Sequence, residues 1–193
     1  MNGAHAGGPN GLEAVAALAT LASTETSAAA GSAAALCGAA AAAVVLKASR
    51  ASGRPGEAAQ GAALRDRLMR LASVDAALLG VARAALASAG GDAPSEQRDF
   101  QLGLVVRRAS VAPREIAEAC ADVAILARGE SLAAVDDLRP DAVAAAHLAA
   151  GAAAAASHLV GVNLVLAEDD DEILRARAAA AAAAEVVEAL RGT

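Results

Sequence analysis

Residues 28–46 read AAAGSAAALCGAAAAAVVL, with no charged side chain before Lys47. A second run, DAVAAAHLAAGAAAAASHLVGVNLVLA, fills 141–167. Alanine is the strongest helix former, because it has almost no side-chain entropy to lose. A helix that is apolar on every side is buried rather than laid on a surface, and small side chains let neighbouring backbones come close. The two runs therefore predict a pair of tightly packed inner helices, the first opening on a Gly31-Ser32 step.

Working outward, residues 1–10 are a Gly/Asn/Pro-rich tail. A helix over about 11–23 follows, with Leu12, Val15, Leu18 and Leu21 on one face. Thr24–Ala30 is a turn, and the first alanine-rich helix stops at Ser52-Gly53. Pro55 suits the first turn of the next helix. Its Leu64, Leu68, Leu71, Leu78 and Val81 recur at helical spacing to about Ala89, before a break at Gly90-Gly91-Asp92. A further helix runs from Pro94 or Ser95 to about Ser110, and Pro113 opens another that ends near Gly129. Residues 130–140 form a loop or short helix, with Asp137–Pro140 leading into the second alanine-rich run. Asp169–Asp171 put negative charge at the start of a last helix, 172–191, where the helix dipole favours it. No stretch alternates as a strand would. The expectation is an all-α fold, a multi-helix bundle with two Ala-rich inner helices, in one domain over 11–193.

Composition narrows the function. The net charge is −6 and Lys47 is the one lysine, which argues against general nucleic-acid binding. GC-rich coding accounts for the excess of Ala and Arg. Buried alanine contributes little per residue, and the chain has one Phe and no Trp or Tyr, so a homodimer is a natural supplement to a thin core. Cys37 and Cys120 lie far apart with no C-x-x-C spacing, as expected of buried thiols in a reducing cytoplasm. No signal peptide is visible. The alanine runs are long enough to span a membrane but poor in the Leu, Ile and Phe that drive insertion, so no membrane association is expected.

Several polar residues stand out against this background. Gly31 and Ser32 sit at a helix start, where free N–H groups favour an anion or carboxylate; Ser32 equally reads as a cap or a small interior residue. Asp75 lies in RLASVDAALLGVARAA, at the edge of a buried face or in a site. Arg98 and Gln101 are one turn apart and can address one ligand together, whereas Arg107 and Arg108 read as surface charge. Asp141 falls in the first turn of the second run, where dipole compensation alone explains it. His147 and His158 are too far apart to bind one metal and read as hydrogen-bonded packing residues. Asn163 is polar in an apolar stretch and needs a partner. No P-loop, dinucleotide fingerprint, zinc motif or Ser-His-Asp arrangement is present, and no metal site is expected.

In order and spacing these pieces resemble the cyclodeaminase domain of formiminotransferase-cyclodeaminase, a family that includes methenyltetrahydrofolate cyclohydrolases. The family's P-G-G-G-S step before an Ala-rich helix is matched by Ala28-Ala29-Ala30-Gly31-Ser32, and its E-D-A step by Val74-Asp75-Ala76. Its Gln followed by V-P-L-E-I-A is matched by Gln101 and Ala112-Pro113-Arg114-Glu115-Ile116-Ala117. Pro140-Asp141 and Val160-Gly161-Val162-Asn163-Leu164 match its last segment. The resemblance covers about residues 11–190. It implies a dimeric helical bundle acting on a one-carbon tetrahydrofolate, with no metal or other cofactor and with a formiminotransferase as a possible partner. It further implies Asp75 and Asp141 as the acid/base pair, and Gly31 and Ser32 as substrate contacts. Arg98 would pair with a folate carboxylate, and Gln101 and Asn163 would hydrogen-bond the pterin or position the aspartates. The alternative expectation is a catalytically inactive helical dimer of the same family, serving as a binding or partner module.

Overall fold

The computed structural model describes residues 10–88, 96–164 and 170–191, and of 10–14 and 136 the backbone only. Six α-helices account for nearly all of it: α1 (Asn10–Ala22), α2 (Ala30–Ala51), α3 (Pro55–Ser88), α4 (Glu96–Ala133), α5 (Arg139–Asn163) and α6 (Asp171–Arg191), with a short 3₁₀ turn at Asp136–Leu138 before α5. No strand occurs among the described residues. The expected break at Gly90-Gly91-Asp92, the Pro94-Ser95 helix start, Asp169 and most of the N-terminal tail lie outside the described residues.

The alanine runs become α2 and α5, and they are inner helices. α2 packs on α3, α4 and α5, and α5 packs on α2, α4 and α6. They run antiparallel: Lys47 near the end of α2 meets Asp141 at the start of α5, and the Cys37 thiol donates to the Leu148 carbonyl. A third helix shares the centre. The C-terminal half of α4 buries Ile116, Cys120, Val123, Ala124 and Ala127 completely. Ala35, Ala41, Ala42, Ala145, Ala146 and Ala149 are equally sealed, so the core is a set of closely approaching backbones rather than interlocked large side chains. At Gly38 of α2 there is no room for a side chain against α4: a Cβ there would sit 2.4 Å from Cys120 Sγ.

The structure revises the sequence reading at Pro113. It opens no helix but lies inside the 38-residue α4. Proline gives no N–H to the carbonyl four residues back and costs roughly 3 kcal/mol in a helix interior. Tertiary packing outweighs that local cost, because Ala109, Ala112, Ile116 and Ala117 on both sides of Pro113 are buried. Arg114 also ties this stretch to α6, with Nε 2.6 Å from Glu172 and Nη1 2.7 Å from Glu118. A second revision concerns α1. Val15 and Leu18, expected on a core face, are 64% and 65% exposed. The expected histidine packing is also absent: His147 and His158 are exposed.

Two of the long helices outrun the core. Beyond Ala82 on α3, and before Ala109 on α4, no residue of these helices is buried, so the two form an arm carrying exposed Leu86, Phe100 and Leu104. By length and composition alone α2, α3 and α5 could each cross a membrane, with mean hydropathy of 1.6, 1.5 and 1.5. Burial among neighbouring helices accounts for the apolarity of α2; α3 keeps much of its apolar surface exposed.

The Gly38→Ala variant is expected to lower stability by about 1–3 kcal/mol, the usual cost of overpacking a filled core. Adding Cys120→Ala, which removes the sulfur the new methyl would strike, should restore part of that loss. Thermal unfolding of the two variants checks this; equal melting temperatures for them would show that Cys120 is not the obstacle.

Candidate active site

The first turn of α2 has no side-chain cap: Ala29 occupies the N-cap position and offers no oxygen. Its free N–H groups need an acceptor from elsewhere, and Asp75 of α3 supplies one. The Asp75 carboxylate takes a backbone hydrogen bond from Ser32, and the Ser32 hydroxyl donates to Asp75 Oδ2 at 3.0 Å. Gly31 makes this possible. A Cβ at Gly31 would stand 2.3 Å from Asp75 Oδ1 and 2.6 Å from Oδ2, so only a residue without a side chain lets the carboxylate lie against the helix end.

Asp75 is 6% exposed. Burial pushes its carboxyl above the usual carboxylate range, while the two hydrogen bonds from Ser32 pull the other way. The hydrogen-bond inventory suits the neutral form. Ser32 Oγ lies 3.0 Å from both Asp75 Oδ2 and the Ala72 carbonyl, yet has one proton to give. When Asp75 is protonated, its O–H donates to Ser32 and Ser32 donates to Ala72, and every group is paired. Ser32 also forms part of the wall of a cavity of about 260 Å³ between α1, α2 and α3. Most of the remaining wall is apolar, with Leu21, Leu36, Met69, Ala72 and Ala76. The arrangement can hold a proton on Asp75 and move it through the Ser32 hydroxyl to a group in the cavity.

The family model of formiminotransferase-cyclodeaminase matches residues 14–183. This chain belongs to the formiminotransferase-cyclodeaminase family. A crystal structure of formiminotetrahydrofolate cyclodeaminase from Thermotoga maritima, at 2.80 Å resolution, shares the fold. The TM-score is 0.68 over 88% of this chain and 92% of that one, at 16% sequence identity. No curated protein matches the chain in sequence.

In this member of the formiminotransferase-cyclodeaminase family, Gly31, Ser32 and Asp75 come together and the other singled-out residues lie elsewhere. Asp141 is bound to Lys47, Nζ to Oδ2 at 3.1 Å, with both side chains substantially exposed. Lys47 is fifteen residues beyond Ser32 on α2, about 22 Å along the helix axis. Within one chain Asp141 therefore does not face Asp75, and the two do not form an acid/base pair there. Arg98 and Gln101 do share a wall, in a cavity of about 230 Å³ between the end of α3 and the start of α4. Ala85 lines the same cavity, ten residues past Asp75 and about 15 Å further along α3. Asn163 ends α5, half-buried, and its side-chain amide has no hydrogen-bond partner among the described residues.

The sequence reading overlooked Met69, Ser73 and Leu36 in the Ser32 cavity. The signal was there: Met69, Ser73 and Ala76 follow the i, i+4, i+7 spacing of one helix face, and Leu36 is one turn beyond Ser32. It also passed over Glu130, which is fully buried with Oε1 2.9 Å from Arg54 Nη1, tying the α2–α3 corner to the end of α4.

A carboxyl whose folded pKa is raised binds its proton more tightly folded than unfolded. Its favourable contribution is present at acid pH and is lost as pH climbs through the folded value. Asp75→Asn, which mimics the neutral form, should therefore gain stability over the wild type as pH rises above the ordinary carboxylate range, with the gap closing in acid. Unfolding curves from acid to neutral pH check this; a wild-type advantage at neutral pH would contradict it.

Proposed function

We propose that this chain is a formiminotetrahydrofolate cyclodeaminase, an enzyme of folate one-carbon metabolism that works by general acid/base catalysis. The observation that carries the reading is the Asp75 carboxyl, buried, biased toward its protonated form and linked through Ser32 to an apolar cavity, in a chain of this family. In the reaction, N10 of the folate attacks the formimino carbon on N5 and a C–N bond forms. N10 gives up its proton, the formimino nitrogen takes up protons and leaves as ammonia, and the methenyl bridge closes. One carboxyl can serve both ends of this transfer, accepting from N10 and donating to the departing nitrogen. The apolar walls favour this reaction over the cyclohydrolase one, in which water must attack the same carbon.

Gly31 and Ser32 would contact the substrate, Arg98 a folate carboxylate and Gln101 a neighbouring polar group, with Asn163 as a further hydrogen-bonding residue. Catalysis would need no metal or other cofactor. The protein would be cytoplasmic and water-soluble, and would act beside a formiminotransferase that supplies its substrate. The exposed Leu86, Phe100 and Leu104 on the α3–α4 arm favour a homodimer formed through that arm.

Formation of methenyltetrahydrofolate, followed by its ultraviolet absorbance, tests the reading. Asp75→Asn should lower the rate at least about a hundredfold, the usual loss on removing an acid/base group. Asp141→Asn should keep most of it; a comparable loss there would bring Asp141 of a second copy into the site. Binding heat without absorbance change would make the chain an inactive binding module instead. Phe100→Glu together with Leu104→Glu is expected to shift sedimentation from dimer to monomer, and an unchanged profile would remove the arm from the interface.

A further inference from the structure

We infer that α1 is a removable cover on the Ser32–Asp75 site, and that its inner face determines how far water reaches the reacting carbon. The inference about water rests on the cyclodeaminase reading; the inference about the cover rests on geometry alone. α1 has two unlike faces. Ala17, Thr20 and Leu21, spaced i, i+3 and i+4, line the cavity beside Ser32. Val15 and Leu18 point away and stay 64% and 65% exposed. Among the described residues no helix packs extensively on α1, whereas α2 to α6 each pack on at least two others.

A segment with so few buried apolar contacts belongs to the low-stability end of a structure and opens at small cost. Its connection to the bundle is a compact turn held mostly to itself. Ser23 N–H and Thr26 Oγ1 both donate to the Thr20 carbonyl, at 3.3 and 2.8 Å. The next step, Ser27, packs close against Gly80, where a Cβ would come within 2.8 Å of Ser27 Oγ. This fixes the far end of the turn on α3 and leaves α1 as the part that can swing.

The chemistry gives such a cover a use. The methenyl product carries an electrophilic carbon between N5 and N10. If water attacks it, a C–O bond forms, the C–N5 bond breaks, a proton is released and 10-formyltetrahydrofolate results. An enzyme that delivers the methenyl compound must keep water from that carbon until release, and a closing segment is the usual means. Leu21 and Ala17 are the apolar groups that α1 contributes to that exclusion.

Two measurements on the full-length chain test this. In amide hydrogen exchange, α1 should exchange much faster than α2 in the free protein. Adding 5-formyltetrahydrofolate as a non-reacting probe should slow α1 by at least tenfold. Protection of α1 equal to that of α2 without the probe, or no slowing with it, would overturn the cover. In turnover of the formimino substrate, Leu21→Ser should raise the initial share of 10-formyl product several-fold, while Leu18→Ser, on the outer face, should leave the wild-type partition unchanged. Equal partition in the two variants would overturn the role in water exclusion. Absence of any turnover by the wild-type chain would sink the folate reading and the water role with it, whereas the exchange result would still decide whether α1 opens.

Discussion

The carboxylate of Asp75 resting on the first turn of α2 is the contact around which the site is organised. α2 begins without a cap of its own, and α3 provides one through a side chain forty-three residues away. That contact sets the register between α2 and α3 at one end, and it demands a glycine at position 31. It also removes a carboxyl from water, which biases it toward keeping its proton. One residue thus acts as a strut and as a proton store. The two pull against each other, since the hydrogen bonds of the strut favour the ionised carboxylate while burial favours the protonated one.

Much of the fold was legible in the sequence because the signals were local. The alanine runs, the Ser52-Gly53 stop and the Pro55 start all read correctly, since propensity and chain punctuation act within a turn or two. Pro113 misled for the same reason. A rule about local hydrogen bonding cannot weigh the burial of Ala109, Ala112 and Ile116 around it, nor the Arg114 pairs to Glu118 and Glu172. The apolar stripe of α1 misled in the opposite sense: amphipathicity marks a face that wants cover, but not which surface provides it.

The candidate site was legible to a similar degree. Gly31-Ser32 and Asp75 were each locally anomalous, and the structure joins them. Asp141 was equally anomalous, but its partner is Lys47. Which of two acidic residues in apolar helices meets the serine depends on helix crossing, and crossing is set by where the glycines let backbones approach. Gly61 of α3, where a Cβ would come within 3.3 Å of the Leu46 backbone of α2, is one such place.

The sealed alanines of α2, α4 and α5 also bear on how this chain can change over time. Biased coding can introduce alanine freely at positions where a larger residue once left room. Once the helices have closed to the spacing that alanine allows, the reverse step is no longer neutral, because each added methylene must displace a backbone rather than fill a gap. Positions such as Ala42, Ala124 and Ala146, fully enclosed by their neighbours, are then held small by geometry even if the coding bias relaxes. An alanine that entered by composition alone would then be entrenched, and room for larger side chains would be confined to the surface, the arm and the outer face of α1.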